Sequence, residues 1–274
     1  MSKTILITGA TDGIGRVTAE QLATQGHTLL LHGRSASKLD DVVNALRSDS
    51  GNAIQGYVAD LSDLSAVASM ANTLSADHDV IDVVINNAGV YVTNAPITEQ
   101  GLDVRFVVNT IAPYLLTRRL LSRIPADGRI VNLSSAAQAP VDVKALAGHA
   151  RLSDGAAYAQ SKLAITMWSR EMALELGAEG PVVVAVNPGS LLGSKMVKEA
   201  FGTVRADVSV GAEILTRAAL DTSFADATGK YFDNDSGRFA PPHADGLDTE
   251  KCQKVVSMIE RILAESGHSL AASN

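Results

Sequence analysis

The chain has 274 residues, 46% of them hydrophobic and 19% charged, with a net charge of −7 and a pI near 5.3. This length suits one large α/β domain, and an acidic chain without a lysine- and arginine-rich stripe argues against a nucleic-acid partner. No apolar run approaches the roughly 18 residues that span a bilayer, and the first residues lack the pattern of a signal peptide. The one cysteine, Cys252, has no partner for a disulfide or a metal site. We therefore expect a cytoplasmic protein with no membrane, nucleic-acid or metal partner.

Short β-rich runs alternate with longer helical segments along the chain. Most of the strands are continuous apolar runs, as expected where both faces of a sheet are covered. The alternation predicts one doubly wound α/β domain over residues 1–274, with a seven-stranded parallel sheet flanked by helices. In chain order we predict strand 4–8, helix 14–25, strand 27–32, helix 37–47, strand 53–58, helix 63–74, strand 80–86, helix 99–122, strand 128–134, helix 156–176, strand 181–187, strand 230–233 and helix 248–265.

Two segments interrupt this alternation. Residues 136–156 form a long connection after the fifth strand, and residues 190–208, after the sixth, have the pattern of a mobile helical flap. Both follow the carboxyl ends of strands, where sheets of this kind bind their ligands. We interpret both segments as substrate loops.

A glycine-rich turn, TGATDGIGR, follows the first strand. Its G-x-x-x-G-x-G spacing permits a tight turn and brings backbone N–H groups and a helix N-terminus close to a pyrophosphate. Glycines alone could simply permit a turn, but their place between a strand and a helix favours dinucleotide binding. The cofactor contacts that we predict here are Gly9, Thr11, Asp12, Gly13, Ile14 and Gly15.

The end of the second strand bears on the choice of dinucleotide. The sequence there is LLLHGRS, with Arg34 after the strand and no carboxylate before Asp40, which lies within the next helix. A carboxylate at the strand end would select NAD, whereas the planar donor fork of Arg34 suits a 2′-phosphate. The alternative is an exposed arginine at a strand end. We predict that NADP(H) is preferred over NAD(H).

Four further motifs stand at strand ends or on a helix in one consistent order. They are NNAG at 86–89, NLSS at 132–135, Tyr158-x-x-x-Lys162 and NPG at 187–189. With the glycine turn they resemble the short-chain dehydrogenase/reductase family over nearly the whole chain. The wide spacing from Ser135 to Tyr158 is similar to the branch that contains the retinol dehydrogenases and the WW-domain oxidoreductase. The resemblance implies a Rossmann fold and an enzyme that interconverts a carbonyl and an alcohol by hydride transfer.

The resemblance also implies the catalytic residues Asn109, Ser135, Tyr158 and Lys162. Tyr158 and Lys162 lie one helical turn apart, so the ammonium, together with the positive nicotinamide ring of the oxidised cofactor, would lower the pKa of the tyrosine toward that of a useful acid or base. Ser135 would donate a hydrogen bond to the substrate oxygen, and Lys162 would also hold the nicotinamide ribose. Asn109 would keep a water in line with Lys162. Taken alone, Asn109 could be a buried amide and Ser135 a turn residue.

The remaining cofactor contacts that the resemblance implies are Asp60, Leu61, Asn87, Ala88, Gly89, Pro188, Gly189 and Ser190. Asp60 has two interpretations, an acceptor for the adenine amino group or a residue at the start of helix 63–74. The loop PGSLLGSKM departs from the frequent PGxVxT because Ser194 is displaced, which leaves its cofactor contacts open. Candidates for the substrate pocket mix apolar and polar groups and comprise Ser135, Tyr91, His149, Arg151, Leu191 and Leu192.

The sequence therefore predicts an NADP(H)-dependent reductase for a small-molecule carbonyl. Two alternatives stay open. One is a non-redox or ring-reducing enzyme on the same scaffold; the other is a dinucleotide-sensing binding protein, which would not need the tyrosine–lysine pair. The resemblance implies a homodimer or homotetramer paired through helices 99–122 and 156–176, although segment 136–156 could block that face.

Overall fold

One mainly parallel sheet organises the computed structural model, which describes residues 2–270 without the side chains of residues 200 and 201. Within that part, its strands are β1 (Thr4–Ile7), β2 (Thr28–Gly33), β3 (Ile54–Val58), β4 (Val83–Asn86), β5 (Arg129–Leu133), β6 (Val182–Asn187), β7 (Tyr231–Asp233) and β8 (Arg238–Phe239). Their order is β3-β2-β1-β4-β5-β6-β7-β8, parallel throughout except that β8 is antiparallel to β7. The predicted seven parallel strands are confirmed. The short eighth strand is an addition, because two residues within a loop carry no periodic signal.

Helices cover both faces of this sheet. They are α1 (Gly13–Thr24), α2 (Ala36–Ser50), α3 (Leu64–Asp77), α4 (Val104–Phe106), α5 (Ala112–Leu120), α6 (Val143–Leu146), α7 (Asp154–Leu176), α8 (Lys195–Phe201), α9 (Val208–Leu220) and α10 (Thr249–Glu265). A π-helical turn, Val107–Ile111, joins α4 to α5. The predicted helix 99–122 therefore starts later, at Val104, and it is not regular. Helix α9 was missed, and α6 and α8 are short helices inside the two predicted loops. No helix in residues 2–270 has the length and apolar character to cross a membrane.

Two hydrophobic cores lie on opposite faces of the sheet. Alternate residues of β1 serve different cores: Leu6 packs with the cluster under α3, α5, α7 and α10, whereas Ile5 and Ile7 pack with the cluster under α1, α2 and α9. This period-two exchange is what a strand buried on both faces requires. It explains why the strands are continuous apolar runs in the sequence.

Helix α10 covers the outer side of α7. Cys252, Val255 and Ile259 are buried in the same core as Trp168 of α7, and Tyr114 Oη of α5 donates to Glu260 Oε1 at 2.8 Å. The face of α5 and α7 that we expected to pair with a second copy is therefore packed against α10. Pairing of copies through that face stays a prediction, and it would have to accommodate this helix.

The carboxyl ends of β1, β4, β5 and β6 meet at one edge of the sheet. The strand order reverses between β1 and β4, which makes this edge the topological switch point where ligands bind to such sheets. The glycine turn follows β1, and the NNAG, NLSS and NPG motifs follow the other strands. The fold thus brings together motifs that are scattered along the sequence.

Candidate active site

The glycine turn between β1 and α1 is tightly built. Gly9 and Gly13 have φ values of +67° and +55°, a region that side-chain-bearing residues rarely adopt. A Cβ at Gly15 would collide with the Gly9 carbonyl oxygen and the Asn87 side chain. Asp12 caps α1, its Oδ1 accepting from the Gly13 N–H at 2.7 Å. The glycine turn thus leads directly into the N-terminus of α1 at the switch point, where such sheets bind a pyrophosphate.

Asn87 ties the loop after β4 to this turn. Its Nδ2 donates to the carbonyl oxygens of Thr8 (2.8 Å) and Gly9 (3.1 Å), while Thr8 Oγ1 accepts from the N–H groups of Asn87 and Ala88. A Cβ at Gly9 would stand 2.9 Å from the Ala88 Cα, so the two loops touch. The expectation that the NNAG turn packs beneath the cofactor site agrees with this geometry.

The side chains of two predicted turn residues pack onto the fold. Thr11 Cγ2 lies where a side chain at Gly33 would stand, and Ile14 contacts Gly211 of α9. Any cofactor contact from Ile14 must therefore come from its backbone at the start of α1. The structure also adds His32 of the LLLHGRS stretch, the next-to-last residue of β2. The buried ring accepts from the Gly9 N–H through Nδ1 (3.2 Å), and its Nε2 lies 3.0 Å from the Ala59 carbonyl oxygen.

Arg34 is exposed at the end of β2, beside a cleft of about 470 Å³. Three further cations line this cleft: Arg16 of α1, Lys38 of α2 and Lys195 of α8. Asp12 and Asp41 also border it, so the cleft is cationic on balance. Its donors fit a phosphate group next to the glycine turn.

Asp60 and Leu61 lie in the loop after β3. Asp60 Oδ1 accepts from the N–H and the hydroxyl of Ser62, at 2.9 and 2.7 Å, and thereby closes a turn. The cap of α3 is instead Asp63, which accepts from the Ser65 N–H at 2.8 Å. Leu61 is buried in the core. Asp60 is therefore a turn residue ahead of the helix rather than its cap, and the adenine role is left open.

Ser135, Tyr158 and Lys162 come together at the carboxyl end of β5. Lys162 Nζ donates to the Leu133 carbonyl oxygen at 2.8 Å and lies 5.7 Å from the centre of the Tyr158 ring. The Ser135 hydroxyl accepts from the Ala137 N–H at 3.1 Å and lies close enough to Tyr158 to act on the pKa of its phenol. Tyr91, from the loop after β4, packs its ring against Tyr158 with 4.7 Å between centroids. The structure thus brings the predicted trio into one cluster and adds Tyr91 to it.

Burial controls the ionisation of this cluster. It raises the pKa of Tyr158; the Ser135 hydroxyl acts in the lowering direction, and Tyr91 adds to the increase. Burial also lowers the pKa of Lys162 to about 8. The expected lowering of the tyrosine pKa by the ammonium is therefore not what the structure favours, since desolvation of the phenolate outweighs it. Tyr158 is held as a neutral proton donor.

Asn109 lies in the π-helical turn. Its Oδ1 accepts from the Val90 N–H (2.8 Å), and its Nδ2 donates to the Val90 carbonyl oxygen and to Ser161 Oγ, both at 3.0 Å. Ser161 in turn donates to the Tyr158 carbonyl oxygen at 2.7 Å. Both amide atoms thus already have protein partners, and the side chain links the loop after β4 to α7. A relay water would have to use the Asn109 backbone carbonyl, which a π-turn can leave without its helical partner.

The NPG loop after β6 is held by the β7–β8 connection. Asp235 accepts from the Ser190 N–H (2.8 Å), from the Ser190 hydroxyl and from Asn187 Nδ2 (2.9 Å). Asn234 Nδ2 donates to the Pro188 carbonyl oxygen at 2.9 Å, and Gly189 has a φ of +121°. Ser190, a predicted cofactor contact, therefore donates both its hydroxyl and its N–H to Asp235. No local pattern in the sequence indicates this role of Asp235.

Four predicted pocket residues lie in the two long loops. Leu191 has a φ of +54° at the base of the flap, and Leu192 is buried against Gly211. His149 and Arg151 are exposed near α6, and Arg151 Nη1 donates to the Gly101 carbonyl oxygen at 3.0 Å. Of the predicted pocket, Ser135 and Tyr91 thus adjoin Tyr158, whereas the geometry of His149, Arg151 and Leu192 gives their pocket role no support.

Comparison with known proteins agrees with this geometry. Residues 3–205 match the family described as short chain dehydrogenase. Human retinol dehydrogenase 13 is 31% identical over 89% of this chain and 80% of its own length. A solved protein from Mycobacterium paratuberculosis superposes with a TM-score of 0.78 at 26% identity, covering 98% of this chain and 95% of its own. A short-chain dehydrogenase from Shigella flexneri, complexed with NADP, gives 0.68 at 26% identity, covering 85% and 97%.

The fold and the strand-end motifs define an oxidoreductase with a nucleotide-binding Rossmann sheet. The chain belongs to the short-chain dehydrogenase/reductase family, in its retinol-dehydrogenase-like branch. The expected family, sheet and enzyme class are confirmed.

Proposed function

We propose that this protein is an NADP(H)-dependent reductase that interconverts a ketone or aldehyde and an alcohol. The observation that carries the proposal is the cluster of Ser135, Tyr158 and Lys162 at the switch point of the sheet, in which Lys162 is buried and the other two are half-buried. The solved Shigella relative holds NADP, and the curated human relative is named a retinol dehydrogenase. Both support a redox reaction between a carbonyl and an alcohol.

The residues present fit a dinucleotide phosphate. A Cβ at Gly9 or Gly15 would collide with the NNAG loop or with the turn itself, so only glycine allows this close packing beside the N-terminus of α1. Arg34, aided by Arg16 and Lys38, would take the 2′-phosphate through charge-assisted hydrogen bonds. An ideal Cβ at Gly89 would stand 3.6 Å from Lys162 Nζ, so the NNAG turn borders the ammonium that would hold the nicotinamide ribose. These features support NADP(H) over NAD(H).

The chain's own groups then divide the work of the reaction. The bound nicotinamide supplies the hydride. Ser135 donates a hydrogen bond to the carbonyl oxygen and stabilises its developing charge. Tyr158 gives that oxygen its phenolic proton, since burial keeps the tyrosine protonated. The ammonium of Lys162 then lies close to the resulting phenolate and stabilises it.

Two long loops and the aromatic ring of Tyr91 form the substrate side of the site. Tyr91 offers an aromatic wall beside Tyr158, and Met196 of α8 lies 3.8 Å from an ideal Cβ at Gly89. Residues 136–156 and 190–208 would close over a mainly apolar carbonyl compound. Residues 1–274 would act as one dinucleotide-binding unit, and a cytoplasmic location stays a prediction.

The test is oxidation of NADPH in the presence of aldehydes and ketones, with retinal among them. We expect consumption of NADPH that depends on the carbonyl compound, and Tyr158→Phe should lower kcat/KM by about 10²- to 10⁴-fold. Tyr114→Phe is the matched control, because it removes a phenolic hydroxyl that is bonded to Glu260, outside the site.

NADPH binding without turnover of any carbonyl compound would favour the dinucleotide-sensing alternative. Turnover that survives in Tyr158→Phe would instead favour another reaction on the same scaffold. The observation against the sensing alternative is the Tyr158–Lys162 pair, for which mere binding has no use.

A further inference from the structure

Arg105 is a buried cation that the mechanism above does not use. It belongs to α4, and only 1% of its side chain is exposed. A buried guanidinium is costly to desolvate and persists only where several groups compensate it. Its sole sequence signal is a lone arginine in the apolar stretch DVRFVVN.

The guanidinium joins three separate segments. Its Nε and Nη2 grip Asp103 in a two-pronged ion pair, at 2.9 and 2.8 Å. Its Nη1 donates both to Asp154 Oδ1, in the first turn of α7, and to the Tyr91 carbonyl oxygen at 3.3 Å. One side chain therefore connects the loop after β4, the start of α4 and the start of α7.

Asp154 and Tyr91, the two partners of Arg105 that are distant in sequence, both lie next to Tyr158. Asp154 stands one helical turn before Tyr158 on the same face of α7. The Tyr91 ring packs against the Tyr158 ring at 4.7 Å, and the Tyr91 hydroxyl lies 3.3 Å from an ideal Cβ at Gly155. The Tyr91 side chain thus lies across the first turn of α7. Arg105 binds the backbone of Tyr91 at one end and Asp154 of that turn at the other.

Arg105 and Asn109 together bind the loop after β4. Asn109, one turn after Arg105, bonds the N–H and the carbonyl oxygen of Val90, and Arg105 bonds the carbonyl oxygen of the next residue, Tyr91. Asn109 also reaches α7 through Ser161, as Arg105 does through Asp154. The loop after β4 is therefore fixed to α7 at two successive residues from a single helix.

We propose that Arg105 is a positioning residue that fixes the Tyr91 ring against Tyr158 and so sets the approach of the substrate carbonyl to the tyrosine hydroxyl. The effect of Arg105 on turnover rests on the proposed function, whereas its effect on the position of the Tyr91 ring does not. The group touches neither substrate nor cofactor. It acts through the backbone of Tyr91 and the first turn of α7.

Asp154→Ala is the test variant. Removing Arg105 itself would leave Asp103 uncompensated in the interior and endanger the fold, whereas the Asp154 side chain is 54% exposed. Glu175→Ala is the matched control, since Glu175 is 43% exposed, lies in the last turns of α7 and pairs with Arg118 at 2.7 Å. Both variants remove one carboxylate that joins α7 to an arginine of the α4–α5 segment, at opposite ends of α7.

Two kinds of measurement follow for each variant: assays with NADPH, and chemical modification of tyrosines. In turnover of NADPH with a carbonyl substrate, Asp154→Ala should lose about 10- to 100-fold in kcat/KM, since small displacements of reacting groups are costly. NADPH affinity, followed by cofactor fluorescence, should change less than about twofold, because the groups displaced are on the substrate side. Asp154→Asn keeps an acceptor oxygen and should recover most of the loss, while Glu175→Ala should resemble wild type.

The second measurement needs no activity. Tetranitromethane modifies accessible tyrosine rings, and peptide mass spectrometry locates the product. Modification of Tyr91 and Tyr158 should rise several-fold in Asp154→Ala relative to wild type and Glu175→Ala, with the buried Tyr114 as internal reference. Equal modification in Asp154→Ala and Glu175→Ala, or equal turnover, overturns the positioning role. Absence of carbonyl reduction in wild type would overturn the proposed function alone, because the modification pattern still decides the role of Arg105.

Discussion

Ser134 and Ser135 are neighbours in sequence after β5, but their hydroxyls contact different parts of α7. Ser134 is buried and hydrogen-bonded to the Lys162 carbonyl oxygen (3.0 Å) and to Thr166 Oγ1 (2.7 Å). Ser135 is only half buried, and its hydroxyl meets Tyr158. Both residues follow Leu133, the last residue of β5, and their side chains differ in burial. One serine anchors α7, and the other faces the site.

This pair supplies a matched prediction. Ser135→Ala should lower kcat by about 10²-fold with little change in the melting temperature, because a donor to the developing oxyanion is lost. Ser134→Ala should instead lower the free energy of unfolding by about 1–2 kcal/mol, since it removes buried hydrogen bonds between β5 and α7. Steady-state kinetics and thermal unfolding of both variants separate the two effects. A kinetic loss confined to Ser134→Ala would contradict the assignment.

The buried ammonium of Lys162 should lower the free energy of unfolding at neutral pH. Burial lowers its pKa to about 8 from an ordinary 10.5, so the folded state carries the cost of a buried ammonium below pH 8. Between about pH 8 and 10.5 the unfolded chain binds more protons than the folded one, and the contribution of Lys162 to the free energy of unfolding rises with pH.

Lys162→Met should remove that rise, which we expect to be on the order of 1–3 kcal/mol. The measurement is urea unfolding of both proteins at pH 7 and pH 10, with Lys230→Met as a control for a partly exposed lysine. The variant should lose its activity as well. An unchanged pH dependence in Lys162→Met would show that the lysine titrates normally.

Arg34 should discriminate between the two dinucleotides. Arg34→Ala should weaken NADPH binding by about 10- to 100-fold, the worth of a charge-assisted hydrogen bond, and leave NADH binding nearly unchanged. Arg16, Lys38 and Lys195 line the same cleft, so the loss should lie toward the lower value. Fluorescence titration with both cofactors measures it, and Arg151→Ala, an exposed arginine near α6, is the control. Equal losses for both cofactors would remove the 2′-phosphate role.

Asp235 should hold the flap closed at its base. Its carboxylate bonds Ser190 and Asn187, and these hydrogen bonds outweigh burial to lower its pKa. Asp235→Ala should therefore speed tryptic cleavage after Lys195, Lys198 and Arg205 several-fold. Asp245→Ala, which removes a carboxylate paired with Lys251 elsewhere, should not. Timed digestion with mass spectrometry tests the comparison. Equal cleavage rates in the two variants would show that the hydrogen bonds of Asp235 do not hold the flap.

Local signals in the sequence predicted much of the fold. Strands such as TLLLHG and VVVAVN are dense apolar runs, which need no tertiary information to identify. Helix α9 was missed because its start, VSVG, combines β-branched residues with glycine and has weak helical propensity. It is stabilised by packing, with Gly211 placed against Ile14 of α1. Such contacts are not visible in a local pattern.

The candidate site divides in the same way. Tyr158 and Lys162 are one turn apart, so their spacing alone placed them together. Arg105 and Asp154 are far apart in the chain, and no sequence pattern near either residue indicates that they form an ion pair. The π-turn around Asn109 also escaped prediction, because one extra residue in a turn leaves no separate pattern in an apolar helix.

The packing of α10 has a consequence for synthesis of the protein. Tyr158 and Lys162 belong to a helix whose other side, around Trp168, is buried by residues from Cys252 to Leu263. Since chains fold as they emerge from the ribosome, the first two-thirds of this enzyme would display the cofactor cradle while that side of α7 is still bare. The nascent chain would thus pass through a stage that exposes a large apolar helix, and protection by a chaperone matters most just before residues 249–265 are made.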